Sequence, residues 1–258
     1  RQMCIRDSIW IVNVLQGDFG TSYSLNRPVI DEVLERFQAT LILSGTSFII
    51  CSVVGILFGI ISSALQYSFF DKIITFSVIM GISIPSFFLG MMMILLFTVE
   101  LRLLPASGMY SLYGGGDFIV LLKHLIMPST ALAIVSTGVV VRLSRSIMLE
   151  ILRLDFIRTA RSKGLKEYRV IFIHAFRLAI VSILPILGLQ AGFVLSGAVY
   201  IEIVFQWPGV GRMLVDSILT RDIMLVQGGV LFVALCYVIF NIVVDFLQLI
   251  LDPRIRKE

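Results

Sequence analysis

The chain has 258 residues, of which 58% are hydrophobic and only 15% are charged, and its formal net charge is +4. Soluble domains carry about 25% charged residues, so this composition excludes an ordinary soluble fold and indicates a membrane protein with several spans. The positive residues border apolar segments, as they do in membrane proteins. No nucleic-acid partner is therefore predicted.

Five apolar segments are long enough to cross a bilayer, which takes about 20 mainly apolar residues. Helix is the state that satisfies the backbone of such segments in lipid. The sequence therefore predicts an all-α, polytopic transmembrane helical bundle. The five predicted spans lie within residues 38–67, 73–99, 125–146, 178–204 and 225–251.

Proline and glycine mark special points within these spans. Pro85 and Pro185 are expected to interrupt the second and fourth spans. Two GxxxG pairs, Gly55 with Gly59 and Gly188 with Gly192, allow close helix contacts. We expect those contacts within the chain, with a subunit interface as the alternative.

Lysine and arginine residues set the orientation. One set of segments holds 13 of them: Lys72, the nine in residues 142–177, and Arg254, Arg256 and Lys257. The opposite set holds six: Arg27, Arg36, Arg102, Lys123, Arg212 and Arg221. By the positive-inside rule, residues 142–177, called the basic island below, and the C-terminus are predicted to be cytoplasmic.

This orientation places residues 17–37 outside the membrane. Residues 9–15 are too short to span, so we expect a further span upstream and six spans in the complete protein. Residues 1–37 are then an N-terminal remnant with an external segment. Residues 38–258 form the transmembrane domain, with a cytoplasmic loop at 147–177.

Catalytic and ligand-binding patterns are missing from the sequence. It has no phosphate-binding G-x-x-x-x-G-K-[ST] motif, no H-E-x-x-H, and no metal-ligand spacing among its three cysteines. We therefore predict no enzyme, cofactor or metal. Carboxylates deep in the spans are few, which argues against an ion-coupled carrier but leaves it as an alternative. Gln190 and Ser196 are candidates for lining a polar pathway, or for bonding helices together.

The basic island reads as two short helical pieces around Gly164. In the first, Ile157, Ala160 and Arg161 share a face; in the second, the apolar face holds Val170, Ile173 and Phe176. Gly164 suits a helix C-cap or bend. The result is an elbow with a small-residue tip at Thr159 and Ala160, which either lies on anionic headgroups or docks into a protein groove.

The segment RTARSKGL, preceded by LDFI and followed by HAFR, resembles the E-A-A-x-x-x-G loop of permease subunits of ATP-binding-cassette importers, in its peptide-importer form. Thr159, Ala160 and Gly164 occupy the matching positions, whereas Arg177 stands where the general signature has Leu-Pro. Further stretches resemble the same branch: QGDFGTSY, SIPSFFLG, LKHLIMPSTALAI, EIVFQWPGVGRMLVDSILTRDIMLVQG and NIVVDFLQLILDPRIR.

The resemblance implies a type I importer permease of the bacterial inner membrane that passes di- or oligopeptides. Its implied partners are a second homologous permease, two cytosolic ATPases that hydrolyse ATP, and an external solute-binding protein. It implies an ATPase-docking loop, and an external gate or binding-protein contact at Trp207, Pro208, Gly209 and Gly211, for which a structural turn is the alternative. Import of nickel or glutathione is the alternative within the family. The implied ATPase-docking residues are Asp155, Arg158, Thr159, Ala160, Arg161, Gly164 and Leu165.

Overall fold

The computed structural model describes residues 10–110 and 117–251, and it is helical over most of that length. Arg254, Arg256 and Lys257, which entered the charge count, lie outside the described residues, as do residues 1–9. A short helical turn at residues 10–15 precedes eight numbered helices. These are α1 (Val29–Ala64), α2 (Phe69–Ser83), α3 (Ser86–Glu100), α4 (Phe118–Ile151), α5 (Asp155–Ser162), α6 (Glu167–Val204), α7 (Val210–Leu219) and α8 (Ile223–Leu251).

Four of the predicted spans are single helices. The helices α1, α4, α6 and α8 each include an apolar stretch long enough to cross a bilayer. The second predicted span differs: it consists of α2 and α3, whose axes meet at 101°. Ile84 and Pro85 separate the two helices in extended or proline-type backbone. The sequence predicted an interruption at Pro85, and in the structure the span is divided there into two separate helices.

Pro185 does not break its helix. It lies within the continuous helix Phe176–Val204 on an exposed face, where the prediction of an interruption is wrong. Neighbouring turns can re-satisfy the backbone groups that a proline frees in a membrane helix. A second internal proline, Pro128, is likewise accommodated within α4.

Glycines bring the helices into close contact. A Cβ added to Gly55 would lie 2.6 Å from Val140 of α4, and one on Gly59 would lie 2.6 Å from Ser144. The second pair faces α8: Cβ atoms on Gly188 and Gly192 would meet Val244 and Tyr237. Both GxxxG pairs therefore pack helices within the chain, as predicted.

The bundle has two ends that differ in composition. The end of α1, the start of α2, the end of α4, all of α5 and the start of α6 lie together, and we call this the island end. At the other end, which we call the loop end, the start of α1 packs against the segment between α6 and α7, where Trp207 Nε1 donates to the Ala39 carbonyl at 2.8 Å. The segment 18–28 packs there too, since Val29 and Phe19 share a buried cluster with Leu225.

Candidate functional site

The helix α5 forms a compact elbow at the island end. It stops at Gly164, whose φ of +75° is the left-handed conformation that glycine adopts without strain. The amide of Gly164 donates to the Arg161 carbonyl, and the amide of Leu165 donates to the Ala160 carbonyl. These two bonds form a Schellman cap, which confirms the predicted C-cap at Gly164.

The elbow is fixed to the bundle by its apolar side. Ile157 is fully buried and Ala160 nearly so, in one cluster with Met148 and Ile151 of α4 and with Val170 of α6. Leu165 packs against the same cluster. The prediction that Ala160 forms an exposed tip is therefore wrong, because its methyl group faces the chain's own core.

The opposite side of the elbow is open to solvent. Asp155, Arg158 and Thr159 are exposed, as the docking interpretation requires. Phe156 is 43% exposed on the same side, and sequence reasoning missed it. The spacing of Phe156, Thr159 and Lys163 at i, i+3 and i+7 could have identified this face.

Ion pairs within the elbow engage two of the predicted docking arginines. Arg161 Nη2 lies 2.6 Å from Glu167 Oε1, so the pair spans the bend at Gly164. Arg158 and Asp155 form a looser exposed pair at 3.5 Å. An exposed ion pair stabilises the fold by about 0–1 kcal/mol. Both arginines could therefore leave these pairs and contact a partner with little loss of stability.

The second predicted piece of the elbow is not a separate helix. Residues 167–175 are the first turns of α6, and Val170–Ala175 are π-helical. In a π-helix, residues five apart share a face, and Val170 and Ala175 are both buried. Ile173, which α-helical spacing placed on one apolar face with Val170, is instead 54% exposed.

A buried carboxylate organises the loop end. Glu202 is fully buried near the end of α6, where its Oε1 accepts a hydrogen bond of 2.7 Å from Thr40 Oγ1 of α1. Its Oε2 accepts from the Arg212 amide at 2.9 Å, and Thr40 Oγ1 accepts from the Val210 amide. Glu202 thus caps the N-terminus of α7 while it ties α7 to α1.

The segment Trp207 to Gly211 is part of this buried structure. Trp207 is fully buried, and Gly209 and Gly211 are buried beside Glu202, while Pro208 is partly exposed. Burial leaves Trp207, Gly209 and Gly211 without surface for a binding protein in this conformation. The geometry corresponds to a structural turn, which the sequence left open as the alternative.

A cavity of about 470 Å³ lies beside the break between α2 and α3, and its wall includes Gln190. Ser136 also lines it, and so do Pro85, Phe193 and Gly197. Ser196 does not; it is exposed on another face of α6, in a stripe with Leu189 and Tyr200. The two predicted pathway residues are therefore not brought together within one chain.

A second carboxylate, missed in the sequence, fastens the segment 18–28. Asp222 Oδ2 accepts hydrogen bonds from the hydroxyls of Ser22, at 2.6 Å, and Ser24, at 2.8 Å. Its Oδ1 accepts from the Leu225 amide at the start of α8. Burial raises the pKa of Asp222, but these hydrogen bonds outweigh burial and lower the pKa to about 2. The residues lie some 200 positions apart, so no local pattern signals the contact.

Among residues 10–110 and 117–251, no group of three or more His, Cys, Asp or Glu side chains is placed to hold a metal ion. The polar groups at both ends are instead committed to hydrogen bonds that join helices. Two features of the described chain are open and carry polar side chains: the solvent-facing side of α5, and the cavity beside Gln190.

Comparisons with known proteins agree with this architecture. The family model described as the binding-protein-dependent transport system inner membrane component matches residues 55–257. The chain is 40% identical to the dipeptide transport system permease protein DppB of Escherichia coli, over 96% of this chain and 80% of the relative. It is also 40% identical to a putative peptide transport system permease protein of Brucella abortus, over 96% and 79%.

A solved structure shares the fold at low sequence identity. An inward-facing structure of the MetNI methionine ABC transporter has a TM-score of 0.70 and 12% identity, over 86% of this chain and 97% of that chain. The matched family model and the relatives at 40% identity show that the chain belongs to the inner membrane components of binding-protein-dependent transport systems, the permeases of ATP-binding-cassette importers.

Proposed function

We propose that this chain is the permease subunit of an ATP-driven importer for di- or oligopeptides. It would assemble with a second homologous permease, two cytosolic ATPases and an external solute-binding protein. The observation that carries the proposal is α5, an elbow with one side fixed in the core and the other side open. Relatives at 40% identity that are named as dipeptide or peptide permeases support the substrate class.

The island end would face the cytoplasm. Lys72 and the nine positive residues of the basic island lie at this end, and the described positive residues of the loop end are fewer. The open side of α5 would then meet the ATPase through Asp155, Phe156, Arg158 and Thr159. Arg161, Gly164 and Leu165 would contribute by holding the elbow in shape.

The mechanical link follows from the packing of α5. Because Ile157 and Ala160 share a buried cluster with Met148 of α4 and Val170 of α6, movement of α5 would shift the ends of both spans. Close-packed interiors transmit displacement instead of absorbing it. Closure of the ATPase pair on ATP would therefore move α4 and α6, and with them the wall of the cavity beside Gln190.

The role of the segment Trp207 to Gly211 would be to brace the loop end. Its burial against Glu202 and Thr40 couples α1, α6 and α7 into one unit. An external binding protein would then act on this unit through the exposed residues around it. The buried indole itself would not be the contact.

The test is uptake by the complete complex, reconstituted in proteoliposomes with its ATPases and binding protein. We expect accumulation of a labelled dipeptide that requires ATP and stops with vanadate, and that persists when ionophores collapse the ion gradients. Uptake driven by an ion gradient without ATP would overturn the proposal in favour of a carrier. ATP-driven uptake of nickel or glutathione, but not of peptides, would overturn the substrate class.

A further inference from the structure

Three helices meet at one polar cluster near the island end. Arg145 of α4 donates two hydrogen bonds to Asp71 of α2, from Nε to Oδ1 at 2.9 Å and from Nη2 to Oδ2 at 2.8 Å. The same Nε lies 3.0 Å from Ser62 Oγ of α1, and that hydroxyl donates to Asp71 Oδ1. We call these three residues the latch.

The latch is well shielded. Ser62 is fully buried and Asp71 is 4% exposed, while the side chain of Arg145 is 28% exposed. Asp71 also accepts from the Tyr67 amide at 3.0 Å, which fixes the turn between α1 and α2. A paired bidentate contact of this kind is geometrically specific, and removal of either partner would leave the other without its counter-charge in a largely shielded site.

The latch is the principal anchor of α2. Of the 15 residues of α2, all of which the structure describes, Asp71 alone is buried. Nearer the break, α2 touches α4 through apolar contacts, such as that of Ile82 with Gly138. Its remaining surface is largely exposed, so the polar contact at Asp71 decides where the start of α2 sits on α4.

The helix α4 links the latch to the elbow. Three residues after Arg145, Met148 enters the buried cluster that holds Ile157 and Ala160 of α5. At its other end, α2 stops at the break beside Pro85, which borders the cavity with Gln190. A continuous path of contacts therefore runs from α5 through α4 and the latch to α2 and the cavity wall.

We infer that Ser62, Asp71 and Arg145 act as positioning residues that make α2 move together with α4 when α5 is displaced. The inference rests on the proposed function, since the displacement is the one that an ATPase would cause. With the latch intact, α2 and α4 would move as one body. Without the latch, α4 would still move when α5 is displaced, but α2 and the cavity wall at the break would move less than α4.

The experiment measures coupling and geometry in the reconstituted complex. Spin labels are placed at the exposed positions Thr75 of α2 and Ser146 of α4, after replacement of the native cysteines. In the parent complex the distance between labels should be the same at rest and after vanadate trapping. In Asp71→Asn the distance distribution should already be broader at rest and should shift on trapping, and the ATP hydrolysed per peptide should rise about fivefold or more.

Matched variants separate positioning from folding. The double variant Asp71→Arg with Arg145→Asp, which exchanges the two charges, should return the ATP hydrolysed per peptide most of the way to the parent value. Ser62→Ala keeps the ion pair and should raise this ratio less than Asp71→Asn does. Glu35→Gln, which removes an exposed contact with Arg27 at the loop end, serves as the control and should leave the distance between α2 and α4 unchanged.

The two proposals fail differently. An unchanged ratio and an unchanged distance in Asp71→Asn would overturn the latch while ATP-driven uptake by the parent complex still upheld the proposed function. If the parent complex showed no ATP-driven uptake, the proposed function would fail. The latch would then still be tested by the resting distance, which should broaden in Asp71→Asn.

Discussion

The island end and the loop end both bury a carboxylate, but they satisfy it in different ways. Asp71 at the island end is paired with a full positive charge on another helix. Glu202 at the loop end accepts from a hydroxyl and from a backbone amide. The first arrangement pairs opposite charges on two helices, whereas the second uses neutral hydrogen-bond donors to hold the start of α7, and the segment before it, against α1. The island end is therefore suited to transmit movement, and the loop end is suited to resist it.

Glycines at the two ends show the same contrast. Gly164 has a positive φ, and a Cβ added there would meet no atom within 4 Å, so only its backbone conformation constrains it. Gly209 has an ordinary negative φ, but a Cβ there would clash with Glu202 Oε1. We therefore expect changes at the loop end to reduce stability, and changes at the island end to reduce coupling.

The largest effect is expected for Glu202→Ala. The substitution leaves the Thr40 hydroxyl and the Arg212 amide without their buried acceptor, and each such group costs about 1–3 kcal/mol. The apparent Tm of the purified complex should fall by many degrees. Glu100→Ala, at an exposed carboxylate, is the control and should change the Tm little. A decrease in Tm of the same size in both variants would show that the buried hydrogen bonds of Glu202 do not stabilise the loop end.

The substitution Gly209→Ala should also destabilise the loop end. The added methyl group must displace Glu202 and its partners, and such overpacking costs about 1–3 kcal/mol. Gly45→Ala is the matched control, because its Cβ would meet nothing within 4 Å. We expect a lower Tm for Gly209→Ala and an unchanged or slightly higher Tm for Gly45→Ala. A Tm for Gly209→Ala equal to that of the parent would contradict the packing account.

Gly164→Val should act on coupling more than on stability. A β-branched residue at a φ of +75° costs about 1–2 kcal/mol, which favours unwinding of the cap that shapes the elbow. ATP hydrolysis per peptide imported should rise, with little change in Tm. Asn tolerates the left-handed conformation, so Gly164→Asn should behave like the parent. Loss of coupling in Gly164→Asn as well would point to side-chain size instead of backbone shape.

The smallest effect concerns pH at the loop end. The folded pKa of Asp222, about 2, lies below the ordinary value of about 3.9. Its contribution to stability is therefore complete above about pH 4 and is lost as the pH falls through about 2. Hydrogen-exchange protection of the Ser24 amide, which donates to Asp222, should decline over that range. Asp222→Asn should lower protection at neutral pH and abolish the decline; a decline that persists in this variant would assign it to another group.

The sequence predicted the features that depend on local composition. Apolar length located the spans, GxxxG spacing located positions of close helix contact on α1 and α6, and a glycine in a polar loop located the cap at Gly164. The orientation of Ala160 was wrong because its small size was taken as a sign of exposure, although its spacing from Ile157 placed both on one buried face.

Other features depend on contacts between distant segments. At the break beside Pro85, α3 packs on the end of α6, where Gly90 meets Val204 and the next residue, Phe205. The partners Thr40 and Glu202 lie 162 positions apart, and Asp71 and Arg145 lie 74 apart. The π-helical turns at Val170–Ala175 shift the buried face of α6. Neither the pairings nor that shift leaves a local pattern.

The most direct test of the central claim, that the open side of α5 docks an ATPase, compares two adjacent residues. Thr159 is exposed and Ala160 is buried, so Thr159→Cys and Ala160→Cys place thiols one position apart on opposite sides of the elbow. In the assembled complex, a short bifunctional thiol reagent should link Thr159→Cys to an ATPase carrying a cysteine in its docking groove, and should not link Ala160→Cys. Linking through Ala160→Cys but not through Thr159→Cys, or through neither, would contradict the account.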